Sequence, residues 1–168
     1  MSNSFVAVMI GSDSDLKVMK STLDVLDDLG VSWEIRILSA HRTPDQVREY
    51  LASADERGCA VYIAAAGLAA HLAGAVAAHT LKPVIGVPLD AGTLGGLDAL
   101  LATVQMPGGV PVACVAVGSA GAKNAAYLAA RVLALGDDSV AGSLRRYRDD
   151  NRASILQKNE QLQSDLKN

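Results

Sequence analysis

Apolar and polar positions along the chain alternate between the period of a strand and that of a helix. Phe5 to Ile10 is a continuous apolar run too short for a helix, as expected of a central strand covered on both faces. Leu16, Met19, Leu23 and Leu26 then mark one face of a helix that Gly30 ends. Residues 33–38 alternate apolar and polar side chains, the period of a strand. Val47, Tyr50, Leu51 and Ala54 return to helical spacing over 45–57, with Thr43 placed to cap that helix and Pro44 at its first position, where a missing N–H costs little. The pattern continues as strand 60–65, helix 72–79, strand 84–87, helix 97–104, strand 112–117 and helix 123–135. Five strands alternating with helices predict an α/β fold, a parallel, doubly wound, three-layer αβα sandwich. In a flavodoxin-like order the first and third strands are neighbours, and ligands bind outside their carboxyl ends at the switch point.

Two stretches need separate treatment. Cys59 to Ala78 is twenty residues without a charge, long enough for a crude membrane-span test. It is largely alanine, is interrupted by Gly67, His71 and Gly74, and reads better as a buried strand-turn-helix. From Asp137 onward, Leu144, Tyr147, Ile155, Leu162 and Leu166 lie roughly on one helical face, and six basic and six acidic residues share the rest. The division is therefore an α/β domain over 1–136 and a helical extension over 137–168 whose narrow apolar stripe needs another surface, that of a neighbouring subunit.

Composition narrows the function. The 168 residues, half of them hydrophobic, fit one domain with a sizeable core. The net charge of −3 lacks the electrostatic footprint of a nucleic-acid binder. No charged region precedes an apolar one at Met1-Ser2-Asn3-Ser4, so a cytoplasmic location without a membrane partner is expected. Cys59 and Cys114 have no metal spacing and read as small core residues in a reducing compartment.

The candidate chemistry lies at Ser39-Ala40-His41-Arg42-Thr43-Pro44, where the second strand turns into a helix. A His beside an Arg at a strand's carboxyl end is a candidate active-site corner, although such a pair in a turn also occurs as a solvated connection. Gly11-Ser12-Asp13-Ser14-Asp15 follows the first strand; the N–H groups of the helix start and the Ser12 and Ser14 hydroxyls could hold a phosphate or hydroxyl-rich ligand, while Ser and Asp are also ordinary caps. The third strand's loop, residues 65–71, has small side chains that let backbone approach a flat ligand. His71 in that loop reads first as a hydrogen-bonded packing residue, and His79 as purely structural.

These motifs, with Ala69-Ala70-His71-Leu72, Gln105-Met106-Pro107-Gly108-Gly109-Val110-Pro111-Val112 and Asn124-Ala125-Ala126, occur in an order and spacing that resemble the class I 5-(carboxyamino)imidazole ribonucleotide mutases of de novo purine synthesis, over about residues 5 to 135. The resemblance implies a flavodoxin-like fold, a homo-octamer, and neither metal nor organic cofactor. It makes His41 the catalytic acid-base residue and Ser12, Asp15 and Arg42 substrate contacts. Ser39 and Gly67 would line the ring pocket, and His71 and Leu72 belong to the same substrate-binding set.

The resemblance also implies a decarboxylation of the ring amine's carbamate, capture of the CO2 at ring carbon 4, and removal of the proton left there. One imidazole can serve both ends, because it changes charge near neutral pH.

The chain departs from the usual Gly-Ala-Gly-Gly loop and its following Pro, carrying Ala65-Ala66-Gly67-Leu68 and Ala73. Leu68, branched where Gly is usual, is expected to narrow the pocket or move the loop. Two rival functions fit the same fold. The family's other class, which carboxylates aminoimidazole ribonucleotide directly, usually has Ser-Ala-His-Lys at the corner, so Arg42-Thr43-Pro44 favours the mutase. A non-catalytic flavin carrier or phosphoacceptor receiver on the same fold is disfavoured: aromatics are 4% of the chain and absent from the loops after strands one, three and four, and no Asp ends the third strand.

Overall fold

The computed structural model describes residues 4–166 and contains one parallel sheet in the order β2-β1-β3-β4-β5. These are β1 (Phe5–Ile10), β2 (Trp33–Ile37), β3 (Cys59–Gly67), β4 (Val84–Leu89) and β5 (Ala113–Cys114). The order is the flavodoxin-like one, with β1 and β3 adjacent and in register from Val6 opposite Val61 to Ile10 opposite Ala65.

Alternate residues of the central strands enter two cores. Val6, Val8, Ile10, Val61, Ile63, Ile85 and Val87 lie beneath α1 (Leu16–Asp28) and α5 (Ser119–Leu133). On the other face Ala7, Met9, Tyr62 and Ala64 meet Val47 and Leu51 of α2 (Pro44–Glu56) and Leu72, Ala73 and Val76 of α3 (Leu72–Ala77). Burying each Val, Leu or Ile contributes roughly 1.5–3 kcal/mol, so the continuous apolar runs drive both layers. α4 (Leu97–Val104) joins the second face because β4 carries Gly86: a Cβ there would fall 2.3 Å from Thr103 Cγ2 and 3.2 Å from Ala73 Cβ. On the first face the small side chains of Ala122, Ala125 and Ala126 bring α5 close to α1, and buried Thr22 donates its hydroxyl to the Ala122 carbonyl at 2.8 Å. That bond offsets the cost of burying a hydroxyl.

Two strands differ from the sequence expectation. β2 shows no clean buried-exposed alternation, because as an edge strand it has no sheet neighbour beyond it, and Arg36 and Ile37 are both exposed. β5 is two residues long rather than spanning 112–117. Its ladder continues only as Val115 N–H donating to the Gly86 carbonyl at 3.0 Å and Gly118 N–H to the Pro88 carbonyl at 2.9 Å. In a parallel strand a residue's N–H and C=O face the same neighbour, so the N–H that Pro88 lacks is one β5 would have used.

The uncharged run divides into β3 and α3, and no helix among the described residues is long and apolar enough to cross a membrane. Cys59 is buried and Cys114 partly so; both are free thiols that burial pushes up.

The last helix, α6 (Asp138–Asp165), is capped by Asp137, whose carboxylate accepts from Ser139 and Val140 N–H. Val140 and Leu144 pack on the α1–α5 layer, and Tyr147 stacks on Tyr127 of α5 with centroids 4.6 Å apart. Beyond Tyr147 the helix leaves the sandwich, and Ile155, Leu156, Leu162 and Leu166 are exposed.

Candidate active site

A cavity of about 460 Å³ opens at the carboxyl ends of β1 and β3, beside the turn that follows β2. The motifs at 105–112 and 124–126 do not border it, whereas the expected catalytic and substrate-binding residues all do: Ser12, Asp15, Ser39, His41, Arg42, Gly67, His71 and Leu72. Leu72 does so as part of the wall, since its own side chain is buried in the core between β3 and α2.

The turn after β1 serves as cap and cavity wall together. Ser12 caps a short 3₁₀ turn, Asp13–Asp15, that runs directly into α1, and the Asp15 carboxylate accepts from Ser12 N–H at 3.0 Å in a reciprocal capping box. Burial raises the Asp15 carboxyl above its ordinary value, against the N–H groups of Ser12 and Gly11 and the Ser14 hydroxyl, which favour the carboxylate.

The corner after β2 is tied differently from expectation. Thr43 makes no side-chain cap to α2. Its hydroxyl oxygen accepts from Ser39 N–H at 2.9 Å and its O–H reaches the Ser39 carbonyl at 3.2 Å, while Thr43 N–H donates to the same carbonyl at 2.9 Å. A Thr at a strand-to-helix turn has two competing acceptors and donors within reach, and here the turn wins over the helix. The closed loop presents His41 and Arg42 outward.

Arg42 Nη2 donates to the Gly11 carbonyl at 2.6 Å, linking the β2 corner to the end of β1. It enters none of the ion pairs among the described residues, which are Arg36–Glu34, Arg48–Asp45 and Arg57–Glu34. A second cavity of about 430 Å³ on its other side shares Gly11, Ser12, Ser39 and Arg42. An exposed guanidinium between two cavities, without a carboxylate, suits an anionic group.

His41 Nε2 lies 2.8 Å from His71 Nδ1, with the rings edge to face at 82°. His71 is therefore hydrogen-bonded, as a packing residue would be, but to the candidate acid-base residue and at the cavity surface.

In the loop after β3, Gly67 is required by its neighbours: a Cβ would lie 2.6 Å from Ala91 Cβ and 3.3 Å from the Leu89 carbonyl. Leu68 adopts φ 55°, left-handed backbone that costs a branched residue roughly 1–2 kcal/mol. The loop therefore follows at Leu68 a left-handed path of the kind that glycine adopts readily. Ala91, in the loop after β4, also borders the cavity and was not among the predicted residues. Its place just past a strand's carboxyl end was the available signal. No three His, Cys, Asp or Glu side chains among the described residues converge as a metal-binding group.

Residues 5–154 match the family model described as AIR carboxylase. The chain is 49% identical to the N5-carboxyaminoimidazole ribonucleotide mutase of Thermotoga maritima, covering 94% of this chain and 91% of that protein. It is likewise 49% identical to the mutase of Bacillus subtilis, over 94% and 97%. Among solved structures, the crystal structure of Treponema denticola PurE aligns with a TM-score of 0.86 and 30% identity, covering 95% of this chain and 98% of that one. On its sheet order, its cavity and these similarities, the chain belongs to the AIR carboxylase family.

Proposed function

We propose that the chain is an N5-carboxyaminoimidazole ribonucleotide mutase, an isomerase that moves a carboxyl group from the ring amine to ring carbon 4 in purine biosynthesis. The observation that carries this reading is the His41–His71 pair at 2.8 Å in one cavity with the carboxylate-free Arg42 guanidinium. A ribonucleotide needs a phosphate anchor, a ribose acceptor and a flat pocket, and the cavity wall offers one group for each.

Arg42 pairs with the phosphate through its guanidinium fork. Ser12 and Asp15 take the ribose hydroxyls, and Ser39, Gly67, His71 and Leu72 border the ring. His41 as imidazolium protonates the exocyclic amine nitrogen as the carbamate N–C bond breaks and CO2 departs. Carbon 4 then attacks the CO2, and His41, now neutral, takes the proton left on that carbon, so the imidazole ends as it began. Only one proton fits on the line between the two rings, so one donates while the other accepts. Holding the released CO2 beside carbon 4, against the small Ala and Gly side of the cavity, turns its recapture into a positioned step. The reaction calls on no metal or organic cofactor.

The same reading takes the enzyme to be a cytoplasmic homo-octamer, with α6 packing on a neighbouring subunit. The exposed Ile155, Leu156, Leu162 and Leu166 support it, since they find no partner in their own sandwich.

The test supplies two carbon donors separately to pure protein without ATP. Isomerisation of the carbamate ribonucleotide is expected, with aminoimidazole ribonucleotide plus CO2 a poor substitute. Preference for the second pair would make the enzyme a direct carboxylase.

A further inference from the structure

Leu68 is the one non-glycine residue of positive φ among the described residues, and its large apolar side chain is 55% exposed rather than in the core. It borders the cavity that holds His41 and His71. Its Cδ2 leans on the loop after β4, where a Cβ on Gly92 would lie 2.6 Å away. One residue earlier, Gly67 and Ala91 bring the same two loops equally close. A strained backbone that holds an apolar side chain in solvent persists where the surroundings fix it, and such outliers concentrate at functional sites. The two loops meet through Leu68 at the cavity's edge, and an apolar group is what meets the solvent there.

We infer that Leu68 is a positioning residue of the carboxyl transfer: its side chain, braced on Gly92, covers the cavity against escape of CO2 between the two half-reactions. The inference rests on the mutase reading. Once the N–C bond has broken, with its electron pair left on the protonated nitrogen, CO2 is a small neutral molecule bonded to nothing. It stays until carbon 4 forms the new C–C bond only if the walls hold it, and neither Arg42 nor the cap at Ser12 has a charge on it to grip. A hydrocarbon cover excludes water and offers CO2 no hydrogen-bonded route out.

The experiment follows an isotopic label. Substrate labelled in its carbamate carbon is converted by pure protein amid excess unlabelled bicarbonate with carbonic anhydrase, and the label retained in the product is measured by mass spectrometry. Wild type should retain most of it. Leu68→Gly, whose backbone suits the left-handed conformation without strain, and Leu68→Ala should each lose a severalfold larger share to the pool. Leu68→Met, apolar and of similar size, should restore retention. Equal retention in wild type, Leu68→Gly and Leu68→Ala overturns the inference, as does a Leu68→Met enzyme that leaks like the Gly variant. If wild type forms no product from the carbamate at all, the mutase reading itself fails, an outcome distinct from both.

Discussion

His41 and His71, thirty positions apart in sequence, face each other with Nε2 and Nδ1 separated by 2.8 Å. The contact joins the corner after β2 to the loop after β3, across β1, and exists only because β1 lies between those strands in the sheet. Under the proposed mechanism the contact orients the His41 ring. A neutral hydrogen bond contributes about 0.5–1.5 kcal/mol net, so His71→Ala should lower kcat about two- to tenfold. His71→Asn, which keeps a polar group toward His41, should lose less. Steady-state kinetics of both variants check this, and equal losses would leave the orientation role without support.

Arg42→Lys should weaken ribonucleotide binding about 10- to 100-fold, the scale of a hydrogen bond to a charged group worth about 1.5–3 kcal/mol. One nitrogen of the guanidinium is engaged by the Gly11 carbonyl while the rest of the fork stays available, a division an ammonium cannot reproduce. Calorimetry reads the change directly, and unchanged affinity removes Arg42 from the phosphate site.

A chain ending at Asn151 should fold but assemble poorly. It keeps Val140, Leu144 and Tyr147, which pack on α1 and α5, and loses Ile155, Leu156 and Leu162, which have no partner in the sandwich. Light scattering should show a smaller particle with little change in melting temperature. Full-length mass in the truncated protein would show that the outer half of α6 does not hold subunits together.

Away from the site, Arg57 hydrogen-bonded to Glu34 holds the Glu34 carboxyl below its ordinary value of 4.5. A depressed folded value means that the fold favours the ionised form, so the contribution is present above 4.5 and is lost as pH falls through the lower, folded value. Glu34→Gln should therefore melt below wild type near neutral pH, with the gap closing in acid. Thermal melts across that range check the sign; a gap that does not vary with pH would assign the effect to packing.

What the sequence made legible follows from how local each cause is. The runs of β1 and β3 are buried on both faces, and their composition alone announces it; the α2 face and the Ser39–Pro44 corner are likewise written in adjacent residues. The limits appear where a partner decides. The shortness of β5 depends on Pro88, twenty-five positions before Ala113 and in another strand. Thr43 bonds to Ser39 because the turn brings them together, and spacing alone favoured a cap. The conformation of Leu68 and the approach of Ala91 depend on two loops meeting, which no single stretch records. Whether His71 only packs or also bears on the site depends on its hydrogen-bond partner, His41, thirty positions away.

The most direct test of the account measures binding and turnover of His41→Asn beside His71→Asn. Asn keeps polarity and approximate size but moves no proton, so His41→Asn should bind the ribonucleotide with near wild-type affinity in calorimetry and lose turnover by about 10² to 10⁴ or more. It should also fail to exchange the ring proton of aminoimidazole ribonucleotide with solvent. If His41→Asn turns over within about threefold of wild type, far less than a positioned acid-base group supplies, or if His71→Asn alone shows the selective loss, the proton-transfer role does not belong to His41.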